Sequence, residues 1–208
     1  MSTAKKLKTR TWFNDFSLDR LKQLLSTDAD VTWRHDVDFD PNAALKMAWL
    51  ERELGVQSTY YVMARSEFYN PFAALTCKVF LQIHDCGHQL GLHVDLGLPR
   101  SAKVSTNRMV QACLDDRDLL RHVLPVSNAV AFHAPPRDIM GRDIPGFDHA
   151  MGSEWVGKYI GDSRGVWKES PEKRLANGGP LQINLHPEWW MWPVDVAASI
   201  RERELAAP

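Results

Sequence analysis

A histidine and three aspartates stand close together in residues 35–40, where the sequence reads His-Asp-Val-Asp-Phe-Asp. The preceding residues 31–33 are β-branched or aromatic, which is typical of a buried strand. In a strand, Asp36 and Asp38 point to the same face because the side-chain period is two. Two carboxylates on one face repel each other unless a cation, a proton or an arginine lies between them. A solvated acidic turn before a helix is the alternative, but the full cluster after an apolar strand favours a functional site.

Ionisable side chains also follow the later predicted strands: His93, Asp95, His133, Asp162 and His186. The carboxyl ends of parallel strands meet at one face, so these groups are expected near the aspartates of the first strand. Carboxylates and imidazoles without a cysteine suit zinc or another first-row divalent ion with an open position for water. Such an ion activates water and polarises a carbonyl, while a carboxylate base and a histidine acid move the protons. This chemistry is the hydrolysis of an amide or ester.

The elements that must position these groups alternate between strands and helices. Predicted strands cover residues 31–38, 58–63, 89–95, 129–133 and 181–186. Predicted helices cover residues 17–25, 42–54, 72–86 and 106–123, with further helices starting at Pro171 and at about Val194. Apolar strands joined by helical crossovers indicate a parallel α/β sheet, either a barrel or an open doubly wound sheet.

Glycine-rich phosphate-binding motifs do not open any predicted helix, which argues against a nucleotide-binding sheet of the dinucleotide or P-loop type. No internal repeat and no linker interrupt the pattern. The sequence therefore predicts a single domain over residues 1–208, with its core in residues 31–192.

Composition narrows the class of protein. The chain has 208 residues, 44% of them hydrophobic, and 25 basic against 26 acidic residues, for a net charge of -1. This balance gives no electrostatic reason to expect nucleic-acid binding. The three cysteines, Cys77, Cys86 and Cys113, lack a metal-binding spacing and are expected to be free thiols. The basic residues 1–8 lead into no apolar run, and no stretch is long enough to span a bilayer, so a cytoplasmic protein is expected.

Three tryptophans, Trp189, Trp190 and Trp192, lie within four residues close to His186. Aromatic side chains grouped in this way often form binding surfaces, with sugar rings among their partners. We therefore expect this segment to bind substrate.

These residues together resemble the motifs of the polysaccharide deacetylase (NodB-homology) superfamily, carbohydrate esterases that remove N- or O-acetyl groups from sugars. The resemblance covers about residues 31–192 and implies a distorted or incomplete (β/α) barrel of about seven parallel strands, with a divalent metal at its mouth. In the first motif, Asp36 matches the catalytic base and Asp38 a metal ligand. Zinc is the expected ion, and nickel, cobalt or manganese would also be compatible.

The second and third motifs depart from the family pattern. His93 falls on the first metal-binding histidine, but Gly97 occupies the position of the second one. Asp95 and His133 are the two candidates for the missing ligand. His133 also stands where the third motif has an arginine that pairs with the base, while Arg137 is displaced from that position.

The last two motifs lie between residues 159 and 187. By resemblance, Asp162 positions the base or the rim of the site, and Trp167 lies at the rim and binds substrate. His186, in the sequence Leu-His-Pro, matches the general acid.

The expected function is thus a metal-dependent deacetylase that acts on an acetylated sugar, in particular a nucleotide- or lipid-linked precursor of surface polysaccharide. Two alternatives stay open. A deformylase or other small-amide hydrolase would use the same groups. A non-catalytic glycan-binding barrel would explain Gly97, although such a protein needs neither the base-like Asp36 nor the acid-like His186. The oligomeric state does not follow from the sequence.

Overall fold

The computed structural model of the protein describes residues 15–193 and residue 196. Seven strands form one sheet: β1 (Val31–Val37), β2 (Ser58–Val62), β3 (Gln89–Asp95), β4 (Val126–His133), β5 (Asp148–His149), β6 (Tyr159–Gly161) and β7 (Leu181–Leu185). The α-helices are α1 (Leu18–Leu25), α2 (Pro41–Glu53), α3 (Ala74–Asp85), α4 (Thr106–Leu120), α5 (Pro171–Ala176) and α6 (Pro187–Met191). Three short 3₁₀ turns span Arg137–Ile139, Ser153–Trp155 and Ser163–Gly165.

The strand order is β5-β4-β3-β2-β1-β7-β6, and every neighbouring pair is parallel. This is the cyclic order of a (β/α) barrel, without the reversal of a doubly wound sheet. Among the described residues, β5 and β6 form no ladder with each other, so the curled sheet stays open on that side. The predicted incomplete (β/α) barrel is confirmed.

The helix ends follow from local chemistry. The Ser17 side chain accepts a hydrogen bond from the Arg20 backbone N–H and so caps α1. Helices α2 and α3 are followed by Gly55 (φ 72°) and Gly87 (φ 96°), both in the left-handed conformation that glycine adopts without strain. These elements were predicted to within a few residues.

Two strands were not anticipated, because β5 and β6 contain only two and three residues and carry no alternating pattern. Strand β4 also begins three residues before its predicted start, at Val126. The helix predicted from about Val194 and the basic residues 1–8 lie outside the described residues. None of the described helices has the length and apolar character needed to cross a membrane.

The core has two main parts. The larger one lies between β1–β4 and helices α2–α4, and its fully buried members include Tyr60, Phe80 and Leu92. The smaller one joins α1, β7 and α6 and contains Trp167 and Trp190. Burial of these apolar side chains provides most of the free energy that holds the strands in register.

Strand register aligns the carboxyl ends of neighbouring strands at one edge of the sheet. Arg34 of β1 is paired with Asn184 of β7, and Asp95 of β3 is paired with His133 of β4. Strand β3 passes close to β2 at Gly91, where an added Cβ would lie 2.8 Å from carbons of the Tyr61 ring.

Candidate active site

The ends of β1, β3 and β4 bring together Asp38, His93 and His133. One potential ligand atom from each lies within 4.8 Å of the others. His93 Nε2 is 3.0 Å and His133 Nδ1 is 3.3 Å from Asp38 Oδ1. Two imidazole nitrogens and one carboxylate oxygen form the mixed donor set that zinc and related divalent ions accept at hydrolytic sites, with a position left for water.

The surroundings of His93 also fit a metal ligand. Its second ring nitrogen, Nδ1, lies 3.4 Å from the carbonyl oxygen of Ala131 and donates to it. The lone pair is then on Nε2, the atom that faces Asp38. Histidines that bind metals are commonly oriented by such a bond from the other ring nitrogen. The residues present therefore fit a divalent ion.

Asp95 lies outside this cluster. Its side chain is exposed, and its Oδ1 accepts a hydrogen bond of 2.8 Å from the backbone N–H of Gly97. The carboxylate thus closes the turn after β3 instead of facing His93. Of the two candidates for the missing ligand, the structure brings His133 into the cluster and leaves Asp95 out.

Asp36 is buried beside the cluster, and its two oxygens differ. Oδ2 accepts hydrogen bonds from Arg34 Nη2 (2.9 Å) and from Asn184 Nδ2 (2.8 Å). Oδ1 is buried and has no hydrogen-bond partner among the described residues. Burial alone would raise the pKa of this carboxyl, but the charge of Arg34, with a smaller contribution from His186, more than offsets it, and the pKa lies below its usual value. Asp36 is therefore ionised at neutral pH.

Arg34 is a site residue that sequence reasoning missed. The side chain is 1% exposed, and its guanidinium lies over the rings of Tyr61 (5.4 Å) and Tyr159 (5.3 Å). Its Nη1 donates to Gln182 Oε1 at 3.3 Å and to a backbone carbonyl. Arg34 thus supplies the partner that the base-pairing arginine of the third motif would have supplied from another strand. The period of two that placed Asp36 and Asp38 on one face also placed Arg34 there, and Asn184 stands likewise two residues before His186.

His186 is held by Asp162. Its Nδ1 lies 2.7 Å from Asp162 Oδ1, and its backbone N–H donates to the same oxygen at 3.0 Å. On the other side, His186 Nε2 is 3.6 Å from Asp38 Oδ2. Burial lowers the pKa of His186, but the hydrogen bond and charge of Asp162 outweigh this, so the pKa lies well above its usual value. Asp162 therefore orients His186 and raises its pKa, and it forms no hydrogen bond with Asp36.

Trp189, Trp190 and Trp167 were expected to bind substrate, and the structure places them differently. Trp189 lines the cavity above the cluster. Trp190 is buried and donates from Nε1 to Asp162 Oδ2 at 2.7 Å, so it supports the His186 partner. Trp167 is fully buried in the smaller part of the core and is absent from the cavity lining. The short α6 helix packs its aromatic residues inward, which composition alone could not show.

The cavity has a volume of about 420 Å³, and Asp36, Asp38, His93, His133 and His186 all line it. Aromatic side chains form much of its wall: Phe39, Phe68, Phe132, Tyr159 and Trp189. A buried ionised carboxylate, a protonated histidine and a cluster of three metal-binding side chains thus share one pocket. This arrangement can remove a proton from water and return one to a leaving group.

No protein-family model and no curated protein matches the sequence. Several solved structures match over most of the chain, at low sequence identity. A carbohydrate esterase of family 4 (CE4) from Streptococcus mutans is 14% identical, with a TM-score of 0.52, over 92% of this chain and 88% of that one. A mutant of the peptidoglycan deacetylase PdaC from Bacillus subtilis is 12% identical, with a TM-score of 0.51, over 86% and 84% of the two chains.

A CE4 family pseudoenzyme from Bacillus anthracis also matches, at 10% identity and a TM-score of 0.51. The match covers 85% of this chain but only 62% of the pseudoenzyme. Likeness at such identities concerns the fold. The chain has the fold of the family 4 carbohydrate esterases, which confirms the resemblance seen in its motifs at the level of architecture.

Proposed function

We propose that the protein is a metal-dependent hydrolase that removes an acetyl group from a sugar, in particular from a nucleotide- or lipid-linked precursor of surface polysaccharide. One observation carries the proposal. An ionised carboxylate, Asp36, and a protonated imidazole, His186, line the same cavity as a three-residue cluster with the donor set of a hydrolytic metal site. A protein that only binds glycans needs no such acid–base pair.

Asp38, His93 and His133 would hold the ion. When bound, a divalent ion at such a site lowers the pKa of water and polarises a carbonyl oxygen. Zinc fits the two nitrogens and one oxygen, and nickel, cobalt and manganese are compatible with the same ligands.

Asp36 acts as the general base. The two donors on its Oδ2 hold the carboxylate in place, so the unpartnered Oδ1 is the atom that takes the proton from the attacking water. Arg34 keeps the base ionised, and Asn184 fixes its plane. A buried, positioned base of this kind contributes about 10²–10⁴-fold to the rate of hydrolysis.

His186 acts as the general acid. Asp162 holds the proton on Nδ1, which leaves the Nε2–H free to protonate the nitrogen or oxygen of the departing sugar. The water proton thus passes to Asp36, the His186 proton passes to the sugar, and acetate is released. Trp190 keeps Asp162 in place through its bond to Oδ2.

Two other functions use parts of the same site. Deformylation or hydrolysis of another small amide would need the same base and acid. Glycan binding without catalysis is the third candidate, because one of the similar structures is a pseudoenzyme and Gly97 replaces a motif histidine. The presence of both Asp36 and His186 favours a hydrolase.

The test is acetate release from a panel of acetylated amino sugars, free and linked to nucleotide or lipid carriers, after the protein is supplied with zinc. We expect Asp36→Asn to retain the metal and to lose at least about 10²-fold in turnover. Asp115→Asn is the matched control, since Asp115 is an exposed aspartate on α4, and it should behave as the wild type. Turnover by Asp36→Asn close to the wild-type rate would rule out Asp36 as the base.

A further inference from the structure

We propose that Arg100 and Arg164 form a binding site for a phosphate group attached to the sugar, at the rim of the active-site cavity. The inference rests on the proposed function for the reaction, and it names the substrate class: an acetylated sugar joined to phosphate or diphosphate.

Both arginines line the cavity that contains Asp36 and Asp38. They come from separate segments, since Arg100 lies in the loop after β3 and Arg164 in the 3₁₀ turn after β6. The backbone carbonyl of Arg100 accepts a hydrogen bond of 3.0 Å from the Arg137 N–H, which ties this loop to the segment after β4. Two loops therefore present cations to one opening.

The guanidinium groups of Arg100 and Arg164 have no acidic partner in the described part of the chain. Several other arginines are engaged with acidic side chains, for example Arg65 with Asp116 and Arg142 with Asp138. Arg100 and Arg164 form no ion pair or side-chain hydrogen bond with any described residue, and both are exposed. Their guanidinium groups are therefore available to a ligand.

The charge of the cavity supports an anionic ligand group at the rim. Among its charged lining residues, the rim carries Arg100, Arg164 and Glu67, two cations against one anion. Deeper in the cavity, Asp36 is paired with Arg34, and Asp38 lies 3.0 to 3.6 Å from nitrogens of His93, His133 and His186. The planar fork of arginine matches phosphate oxygens, and two unpaired forks on one cavity favour that group over a neutral hydroxyl.

The backbone holds Arg164 at a defined place relative to the general acid. Its φ and ψ are 61° and 27°, the left-handed conformation that non-glycine residues adopt rarely. The turn is closed by a hydrogen bond of 3.3 Å from the Val166 N–H to the Asp162 carbonyl, and the Asp162 carboxylate holds His186. A phosphate bound by Arg164 would thus be held by the same turn whose Asp162 orients His186.

This geometry distinguishes two kinds of acetylated sugar. A neutral polysaccharide offers the two arginines only uncharged oxygen acceptors, which form weaker hydrogen bonds with a guanidinium than phosphate does. A sugar with phosphate on the carbon next to the acetamido group offers an anionic partner within reach of the same pocket. Nucleotide-linked and lipid-linked sugars share this chemistry.

The test is calorimetric binding of glucosamine 1-phosphate and of glucosamine, which has the same ammonium group and no phosphate. Neither ligand contains an amide to hydrolyse, so binding is measured whether or not the protein is active. We expect glucosamine 1-phosphate to bind more tightly and to lose about tenfold in affinity in Arg100→Gln and in Arg164→Gln, the loss of one charge-assisted contact each. The affinity for glucosamine should not change in either variant. Arg52→Gln is the matched control, since Arg52 is an exposed arginine on α2 that does not line the cavity.

Three results would overturn the inference. They are equal affinity for the two ligands, no binding of glucosamine 1-phosphate at millimolar concentration, and the same loss of affinity in Arg52→Gln. Inorganic phosphate binding as tightly as glucosamine 1-phosphate would also overturn it, because the sugar would then play no part. Uridine diphosphate glucosamine and a prenyl diphosphate glucosamine identify the carrier, since the natural one should bind more tightly than glucosamine 1-phosphate alone.

Binding and turnover separate the two proposals. Arginine-dependent binding without acetate release from any acetylated substrate would support the phosphate site and contradict the proposed reaction. Acetate release at equal rates from neutral and phosphorylated sugars, with equal binding, would support the reaction and contradict the phosphate site.

Discussion

Replacement of Arg34 with methionine tests the unexpected partner of the base. Arg34 and Asp36 are 1% and 4% exposed, and their charged atoms lie 2.9 Å apart. Removal of one partner from a buried ion pair leaves a buried, uncompensated charge and costs about 3–5 kcal/mol. The variant also loses the stacking of the guanidinium on Tyr61 and Tyr159. We therefore expect Arg34→Met to lower the free energy of unfolding by about 3–5 kcal/mol, a large part of a typical total of about 5–15 kcal/mol.

The assay is urea denaturation of the wild type, Arg34→Met, Asp36→Asn and the double variant. The double variant contains neither unpaired charge, so it should be much more stable than the sum of the single losses predicts. We expect the two substitutions to be coupled by about 2 kcal/mol or more, within the usual range for residues in one network. Additive losses to within about 0.5 kcal/mol, the behaviour of independent sites, would refute the pairing.

Three further substitutions test other parts of the structure. Asp162→Asn should move the alkaline limb of the pH profile of kcat to lower pH, because Asp162 raises the pKa of His186. An alkaline limb at the same pH in the wild type and the variant would contradict this. Burial lowers the pKa of His88 below its usual value of 6.5. On acidification the unfolded chain therefore takes up a proton at this residue before the folded protein does, and the folded state loses stability. His88→Gln should therefore show a smaller loss of unfolding free energy between about pH 7 and pH 5 than the wild type, and an equal loss would count against this reasoning. Gly91→Ala should lower stability by about 1–3 kcal/mol in urea denaturation, because its Cβ would lie 2.8 Å from the Tyr61 ring, and a neutral effect would show that the ring moves freely.

Much of the site could be predicted because two simple rules act together. A period of two places Asp36 and Asp38 on one face of β1, and parallel strands bring their carboxyl ends, with His93 and His186, to one edge. Both rules concern the backbone, and the sequence pattern of apolar strands and helices is enough to apply them.

Other features depend on side-chain direction at single turns. Asp95 and His133 are register partners at the ends of neighbouring strands, so spacing could not choose between them. The hydrogen bond from the Gly97 N–H draws Asp95 out of the site and leaves His133 as the ligand candidate.

The remaining features of the site depend on contacts between residues that are far apart in the sequence. The role of Arg34 depends on the ring of Tyr159 and on Asn184, residues more than a hundred positions away in the chain. The burial of Trp190 depends on Asp162 and on an edge-to-face contact with Phe16 at 4.9 Å. Local patterns carry no signal for such partners.

The most direct test of the central claim is the metal content of the purified protein, measured by mass spectrometry for the wild type, His133→Ala and Asp95→Ala, with circular dichroism to confirm that each variant is folded. If Asp38, His93 and His133 hold a divalent ion, the wild type and Asp95→Ala should contain about one equivalent, and His133→Ala should lose it. Retention of the ion by His133→Ala, or its loss from Asp95→Ala alone, would contradict the proposed site.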